Sequence, residues 1–411
     1  MVLLIAIALS GCGPDSPRIV PPTLHALDRH TPTATRATPT VPPSTYTPST
    51  STRLPFTQTP TPALPHTRTP TPPPPPLVER GLLAPGFGLT VYAIVPQPTS
   101  LAFGPDGRLY VASTHSAVYA VSGPDGGGRA ETVSPFITGL EVPLGLLWVG
   151  GDLYVSYRGA VSAFALASTG SAGPERPIVT NLPGFGLHQN DGLALGPDGY
   201  LYLGMGSTCD HCRERDPRNG TILRFRPDGF ELSVYAAGLR NPYDLAFNAA
   251  GDLFATDNSR DDLGVDEPPE ELNHIRAGLH YGWPDCWAGG PATAPCDVRP
   301  GPVVTFTAHT SANGLAFYDA VQFPPEYHGN LFVTILGSIY IMPDHPEHGV
   351  MRVQLTPSGD TYTGAREWFL DLPDGRPVDV AVGPDGALYV ADYANGEILR
   401  ITYGAIAPPA D

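Results

Sequence analysis

Lysine is absent from this sequence: all 23 basic side chains are arginines, set against 40 acidic ones for a net charge of −17. That absence excludes catalysis through a lysine Schiff base and phosphate binding by a Walker lysine. The acidic balance leaves no basic surface to neutralise a phosphate backbone, so nucleic acid is excluded as a partner. Long apolar runs are scarce as well. The run Val2–Leu9 falls well short of the roughly 20 residues that a membrane-spanning helix needs. No Gly-x-Ser-x-Gly elbow, His-Glu-x-x-His helix or phosphate loop occurs, which removes the hydrolases built on them.

Glycine and proline are plentiful instead, with 46 and 50 copies. Such a load disfavours a helical protein and suits many short strands joined by turns, because Gly supplies positive φ and Pro fixes φ at turn corners. The proline is unevenly spread. Residues 13–77 are dominated by Pro, Thr and Ser, bury too little apolar surface to offset the entropy of ordering, and are expected to form a disordered, extended stalk. Ahead of it, small residues follow the short apolar run and lead to Cys12. Residues 1–12 therefore read as a lipoprotein signal with Cys12 as the lipidated residue, or as an ordinary secretory signal. Either way the protein is expected outside the cytoplasm, and on the first reading it touches the membrane only through an N-terminal lipid.

Residues 78–411 carry a repeated phrase, a Gly followed by x-Leu-aromatic and a small or β-branched pair. It begins at Gly107, Gly151, Gly199, Gly251, Gly329 and Gly386, at intervals of 44, 48, 52, 78 and 57 residues. A four-stranded propeller blade repeats at about 40–50 residues, so six copies predict an all-β, six-bladed β-propeller. A β-sandwich with regular hairpins is the alternative, but it would not need six near-identical phrases. Upstream of several phrases lies a second apolar strand ending in Gly-Pro-Asp-Gly, as at 104–107 and 196–199, which makes each pair a hairpin. The long fourth interval holds an insertion, roughly Asp257–Phe306, rich in acids, Gly and Trp; insertions in such arrays usually serve the binding face.

If the strand after each upstream loop is the innermost one, six loops emerge at one mouth of the central channel. They carry Gln97, Glu141, His188-Gln189-Asn190-Asp191, Arg240-Asn241, His309 and Arg376. Two arginines, two histidines and an asparagine gathered there suit an anionic, planar ligand, since the guanidinium fork pairs with carboxylates in bidentate fashion. Beyond Cys12, four cysteines remain. Their spacing in an oxidising compartment points to disulfides Cys209–Cys212 and Cys286–Cys296; a metal site joining His211 to both pairs, or redox chemistry at the first pair, are the other readings. The acid-rich run from Asp257 to Glu271 is a calcium candidate, because hard cations collect carboxylate and carbonyl oxygens.

At these loops the sequence resembles the soluble quinoprotein glucose and sorbosone dehydrogenases, a family of six-bladed propellers binding pyrroloquinoline quinone (PQQ) and calcium. The matching words are His188-Gln189, Gly238-Leu-Arg-Asn-Pro-Tyr-Asp-Leu-Ala-Phe247, Glu271-Leu-Asn-His-Ile275, His280-Tyr-Gly-Trp-Pro284, and Arg376 ahead of Asp379-Val380. They are most similar to the sorbosone-dehydrogenase-like branch. The resemblance implies His188 as general base, Arg240 polarising the quinone oxygen with Asn241 beside it, and Arg376 on a cofactor carboxylate. It further implies backbone oxygens of Ser259 and Arg260 on calcium; His309, outside the family pattern, is taken as a cofactor contact that compensates for positive groups the family has and this chain lacks. Three family positions differ: Gly337-Ser338-Ile339-Tyr340 stands where the family's lysine would be, Val378 replaces a second arginine, and Glu141 or Val142 replaces a glutamine. The expected function is PQQ-dependent oxidation of an aldose, sugar aldehyde or related alcohol, with electrons passed to an acceptor in the envelope. The alternative is a non-catalytic carbohydrate-binding propeller that has lost the cofactor. A propeller lactonase would need a ring of acids and amides around one calcium, and the six mouth loops hold too few acids.

Overall fold

In the computed structural model, the described residues are 83–404, apart from 124, 126–127, 292–295 and 339–346. The expected signal with Cys12 and the expected stalk lie outside them. The strands form six four-stranded antiparallel sheets, a six-bladed β-propeller. The innermost strands of blades 1 to 6 are Pro98–Phe103, Gly145–Val149, Asn190–Leu195, Pro242–Phe247, Ala312–Phe317 and Pro377–Val382. Among the described residues the only helical pieces are two three-residue 3₁₀ turns, and no helix is long and apolar enough to cross a membrane.

Each repeated phrase is the second strand of its blade: Leu109–Ser113, Asp152–Tyr157, Leu201–Met205, Leu253–Asp257, Leu331–Ile335 and Leu388–Asp392. These strands are covered on both faces, which is why they read as continuous apolar runs and not as alternating ones. The aromatic of the phrase packs against the end of the next blade's inner strand. Tyr110 meets Trp148, Tyr202 meets Phe247, Phe254 meets Phe317 and Tyr389 meets Phe103, edge to face at 4.9, 5.1, 5.6 and 4.9 Å. The core is thus distributed between neighbouring blades, each aromatic pair contributing about 0.5–1.5 kcal/mol beyond its buried area.

The sixth blade is composite. Its inner three strands come from the C-terminal end of the chain, and its outermost strand, Phe87–Ile94, comes from the N-terminal end and pairs antiparallel with Glu397–Tyr403. Pairing the two ends removes the open edge that an unclosed last blade would present.

The interval between the fourth and fifth phrases is not one insertion. It contains the two outer strands of blade 4, Glu270–Ile275 and Val304–Phe306, separating a mouth loop (258–269) from a longer excursion (276–303). That excursion climbs the outer edge of blade 3, where Ala237 pairs with His280 and Trp283 N bonds Gly238 O at 2.8 Å, and so delivers Trp283 to the mouth. The Cys286–Cys296 disulfide ties its far end, and Cys209–Cys212 closes a four-residue loop after the second strand of blade 3.

Candidate functional site

All six inner strands run away from the same mouth, so the six loops ahead of them share one end of the channel, joined there by the turns between second and third strands. Hydrogen bonds knit the rim: Thr99 Oγ1 donates to Pro143 O at 2.7 Å, Gln189 Nε2 to Val142 O at 2.9 Å and Asn258 Nδ2 to Asn313 Oδ1 at 3.0 Å. Gln97, Val142, His309 and Ser311 hold positive φ of 42, 47, 61 and 51°, a strained conformation for side-chain-bearing residues that concentrates at functional sites.

His188 is 2% exposed. Its Nδ1 lies 3.0 Å from Ser207 O; a carbonyl only accepts, so Nδ1 carries the hydrogen and Nε2 presents a bare lone pair. That Nε2 is buried with no partner. Burial, and then the charge of Arg240, hold the imidazole well below its ordinary range, so it is neutral at pH 7. Asn241 lies beside it, its Oδ1 also buried and unpartnered. Gly206 separates the two, and a methyl there would collide with both His188 Cβ and Asn241 Oδ1. Ser311 Oγ and Asn258 Oδ1 are further buried oxygens without partners near this mouth. Such an accumulation of unmet polar atoms marks a place where a ligand would supply the missing bonds.

Arg240, 1% exposed, is the hub of an ion-pair network. Its Nε and Nη2 bond Asp210 O and Oδ1 at 3.2 and 2.7 Å, Nη2 also meets Asp261 Oδ2 at 3.1 Å, and Nη1 donates to Asn258 O at 3.1 Å. Four of its five N–H groups are therefore engaged. Asp261 bonds His309 Nδ1 at 3.2 Å, while His309 Nε2 sits 2.6 Å from Gly264 O. Both ring nitrogens of His309 face pure acceptors, which selects the imidazolium. Burial is the largest single influence and opposes that charge, but the bonds to Asp261 and Gly264 O together with the charges of Glu270 and Asp261 outweigh it and raise the His309 pKa. Burial would likewise raise Asp261, yet its bond to His309 and the charge of Arg240 bring it down to about 2.

Arg376 stands across the channel, half-buried, with its Nη1 on Gly375 O at 3.0 Å. Burial lowers its pKa, partly offset by Asp392. Ser259 is held by Glu270, whose Oε2 accepts Ser259 N at 2.6 Å while Oε1 accepts Ser311 N at 3.1 Å. The Arg260 side chain is buried, paired with Asp262 and His211 and lying over the Trp287 ring; only its backbone oxygen belongs to the calcium expectation. Val378 is buried in the inner strand of blade 6, and Ile339 and Tyr340 lie outside the described residues.

The sequence reading placed His188, Arg240, Asn241, His309 and Arg376 at one mouth, and they are there. It missed Asp210, and it took Asp261 and Glu270, in the acid-rich run, for calcium ligands and not for the partners that hold Arg240, His309, Ser259 and Ser311. Asp210 was concealed inside Cys-Asp-His-Cys, where only the cysteines drew notice, and no sequence signal pairs it with Arg240, 30 residues on. Residues 83–400 match a protein family described as "Domain of unknown function (DUF7133)". The chain belongs to this family. Within reach by sequence is an uncharacterized protein of Borreliella burgdorferi, 22% identical over 78% of this chain and 90% of its own. Among solved structures, the calcium structure of a Trichoderma reesei carbohydrate-active enzyme of family AA12 superposes with TM-score 0.63 at 20% identity, covering 78% of this chain and 96% of that one. The holo PQQ domain of a pyranose dehydrogenase from Coprinopsis cinerea does so with TM-score 0.65 at 16% identity, covering 80% and 98%. At these identities the likeness is one of fold.

Proposed function

We propose that this DUF7133 protein is a PQQ-dependent dehydrogenase that oxidises an aldose, sugar aldehyde or related alcohol outside the cytoplasm and passes electrons to an acceptor in the envelope. The observation that carries the reading is the buried, neutral, singly protonated His188 with its unpartnered Nε2, set beside the unpartnered Asn241 amide in a cradle that Gly206 keeps open. The fold likeness to a PQQ-holding pyranose dehydrogenase domain supports it.

When bound, the quinone would accept hydride from the substrate carbon. The chain's own residues supply the rest. His188 Nε2 takes the hydroxyl proton, a task for a neutral imidazole whose tautomer Ser207 O fixes. Asn241 would orient the group, Arg376 would pair with a cofactor carboxylate, Arg240 would polarise the quinone oxygen, and His309 would be a further cofactor contact. The backbone oxygens of Ser259 and Arg260 would hold calcium, a hard cation suited to carbonyl ligands. Of the possible substrates, a sugar aldehyde fits the sorbosone-dehydrogenase-like words in the sequence.

A second reading, a carbohydrate-binding propeller without cofactor, is favoured by one observation: Arg240 and His309 are already neutralised by Asp210 and Asp261. Titration of the purified protein with PQQ and calcium, followed by dye reduction with a panel of sugars, separates the two. Saturable binding with sugar-dependent bleaching of the quinone is expected; no binding at micromolar quinone would hand the lead to the binding protein.

A further inference from the structure

We propose that Asp210, held in place by the Cys209–Cys212 disulfide, is the specificity-determining residue that sets how strongly this mouth binds an anionic ligand. The inference rests on the mouth being a ligand site, and deepens the reading above by naming what limits its affinity.

Asp210 meets Arg240 twice, through its backbone oxygen at 3.2 Å and its Oδ1 at 2.7 Å, and the same Oδ1 accepts Asp261 N at 2.9 Å. The carboxylate is thereby placed against the cation that adjoins Asn241 and His188. Any anion drawn into the mouth by Arg240 meets a cation whose charge Asp210 and Asp261 have already offset. Arg240 is buried while Asp210 and Asp261 keep 30 and 29% of their side-chain surface exposed, so the pairing is stronger than on an open surface and weaker than in a core.

The loop gives Asp210 no room to withdraw. The disulfide spans only Asp210 and His211. Further bonds hold the loop: Cys209 O accepts Ser207 Oγ at 2.7 Å, Asp210 O accepts Trp283 Nε1 at 3.4 Å, and His211 Nδ1 accepts Arg260 Nη2 at 2.7 Å. Glu214 clamps the stem through Thr208 N and Oγ1 at 2.6 and 2.7 Å. Asp210 is thus a built-in counter-ion whose position the disulfide fixes, and an incoming anion competes with it on unequal terms.

Asp210→Asn is a clean probe, since the amide oxygen keeps both acceptor bonds of Oδ1 and only the charge is lost. The full chain and its variants are titrated with PQQ plus calcium, and separately with citrate, a polyanion that needs no quinone chemistry. Asp210→Asn is expected to tighten binding of both by about tenfold, and a Cys209→Ala/Cys212→Ala variant to tighten it in the same direction by releasing the loop. The triple variant should bind no tighter than Asp210→Asn alone, because the disulfide acts through Asp210; Cys286→Ala/Cys296→Ala is the control disulfide. Unchanged or weakened citrate binding by Asp210→Asn overturns the proposal, and additive effects in the triple variant overturn the role of the disulfide. If the cysteine variant does not fold, Asp210→Asn decides alone. Citrate tightening with no PQQ binding in any variant would uphold Asp210 and sink the dehydrogenase reading.

Discussion

Asp379, on the inner strand of blade 6, accepts the backbone N–H of Leu101 on the inner strand of blade 1 at 2.6 Å, a side-chain bond across the seam where the ring closes. The device recurs around the channel. Asp244 takes Leu315 N at 3.0 Å between blades 4 and 5, and Ser100 takes Leu146 N at 3.2 Å between blades 1 and 2. Gly192 and Gly314 stand where a side chain would collide with Asp244 and Asp379, so small and acidic residues alternate where the inner strands come closest.

Asp379→Ala should therefore destabilise the propeller. It orphans a buried N–H, at a cost of about 1–3 kcal/mol. Gly314→Ala should act in the same direction by displacing Asp379. Denaturant midpoints measure both; a midpoint unchanged in Asp379→Ala would mean that the seam is held by strand pairing alone.

The buried acids also predict a pH dependence. Burial raises Asp244 to about 7 and raises Asp379, which feels the Asp244 charge, well above its ordinary value. The unfolded chain ionises these groups near pH 3.9, so between there and about 7 the folded state binds more protons than the unfolded one. Stability then falls as pH rises through that window. Asp244→Asn should flatten the slope, as read by unfolding at a series of pH values.

His188→Ala should leave quinone binding nearly intact and lower turnover about a hundredfold or more, the usual worth of a general base. Wild-type turnover should persist on the acid side of pH 6.5, the ordinary histidine value, because burial and Arg240 keep His188 neutral there. Turnover that survives the substitution removes His188 from the mechanism.

Arg376→Ala should weaken quinone binding, about tenfold if the pairing is a single exposed-to-half-buried ion pair, with the substrate's KM little changed at saturating quinone. Reconstitution that proceeds as in the wild type would show that the cofactor carboxylates lie elsewhere.

How much of this was legible in the chain differs between fold and site. The six Gly-x-Leu-aromatic phrases announced six blades because each second strand must be apolar on both faces and its aromatic must reach the next blade; that requirement is local and repeats. The composite sixth blade was not legible. Phe87–Ile94 looks like any strand, and only ring closure assigns it to Glu397–Tyr403. The fourth interval misled for a related reason: Glu270–Ile275 is a strand whose outward face is buried under the excursion 276–303, so its acids read as loop.

By itself the sequence determined the propeller, through the spacing of its six phrases; it made a common mouth for His188, Arg240, Asn241, His309 and Arg376 an expectation, and it favoured the two disulfides over a metal site that the cysteine spacing also allowed. The tertiary structure decided the charge state of that mouth. Asp210, Asp261 and Glu270 come from turns after second strands or from a third strand, and they meet the loop residues only when the blades curl around the axis. Whether a cation such as Arg240 is free or neutralised depends on distances of a few ångströms between segments far apart in sequence, and Coulomb's law acts through those distances, not through the order of residues along the chain.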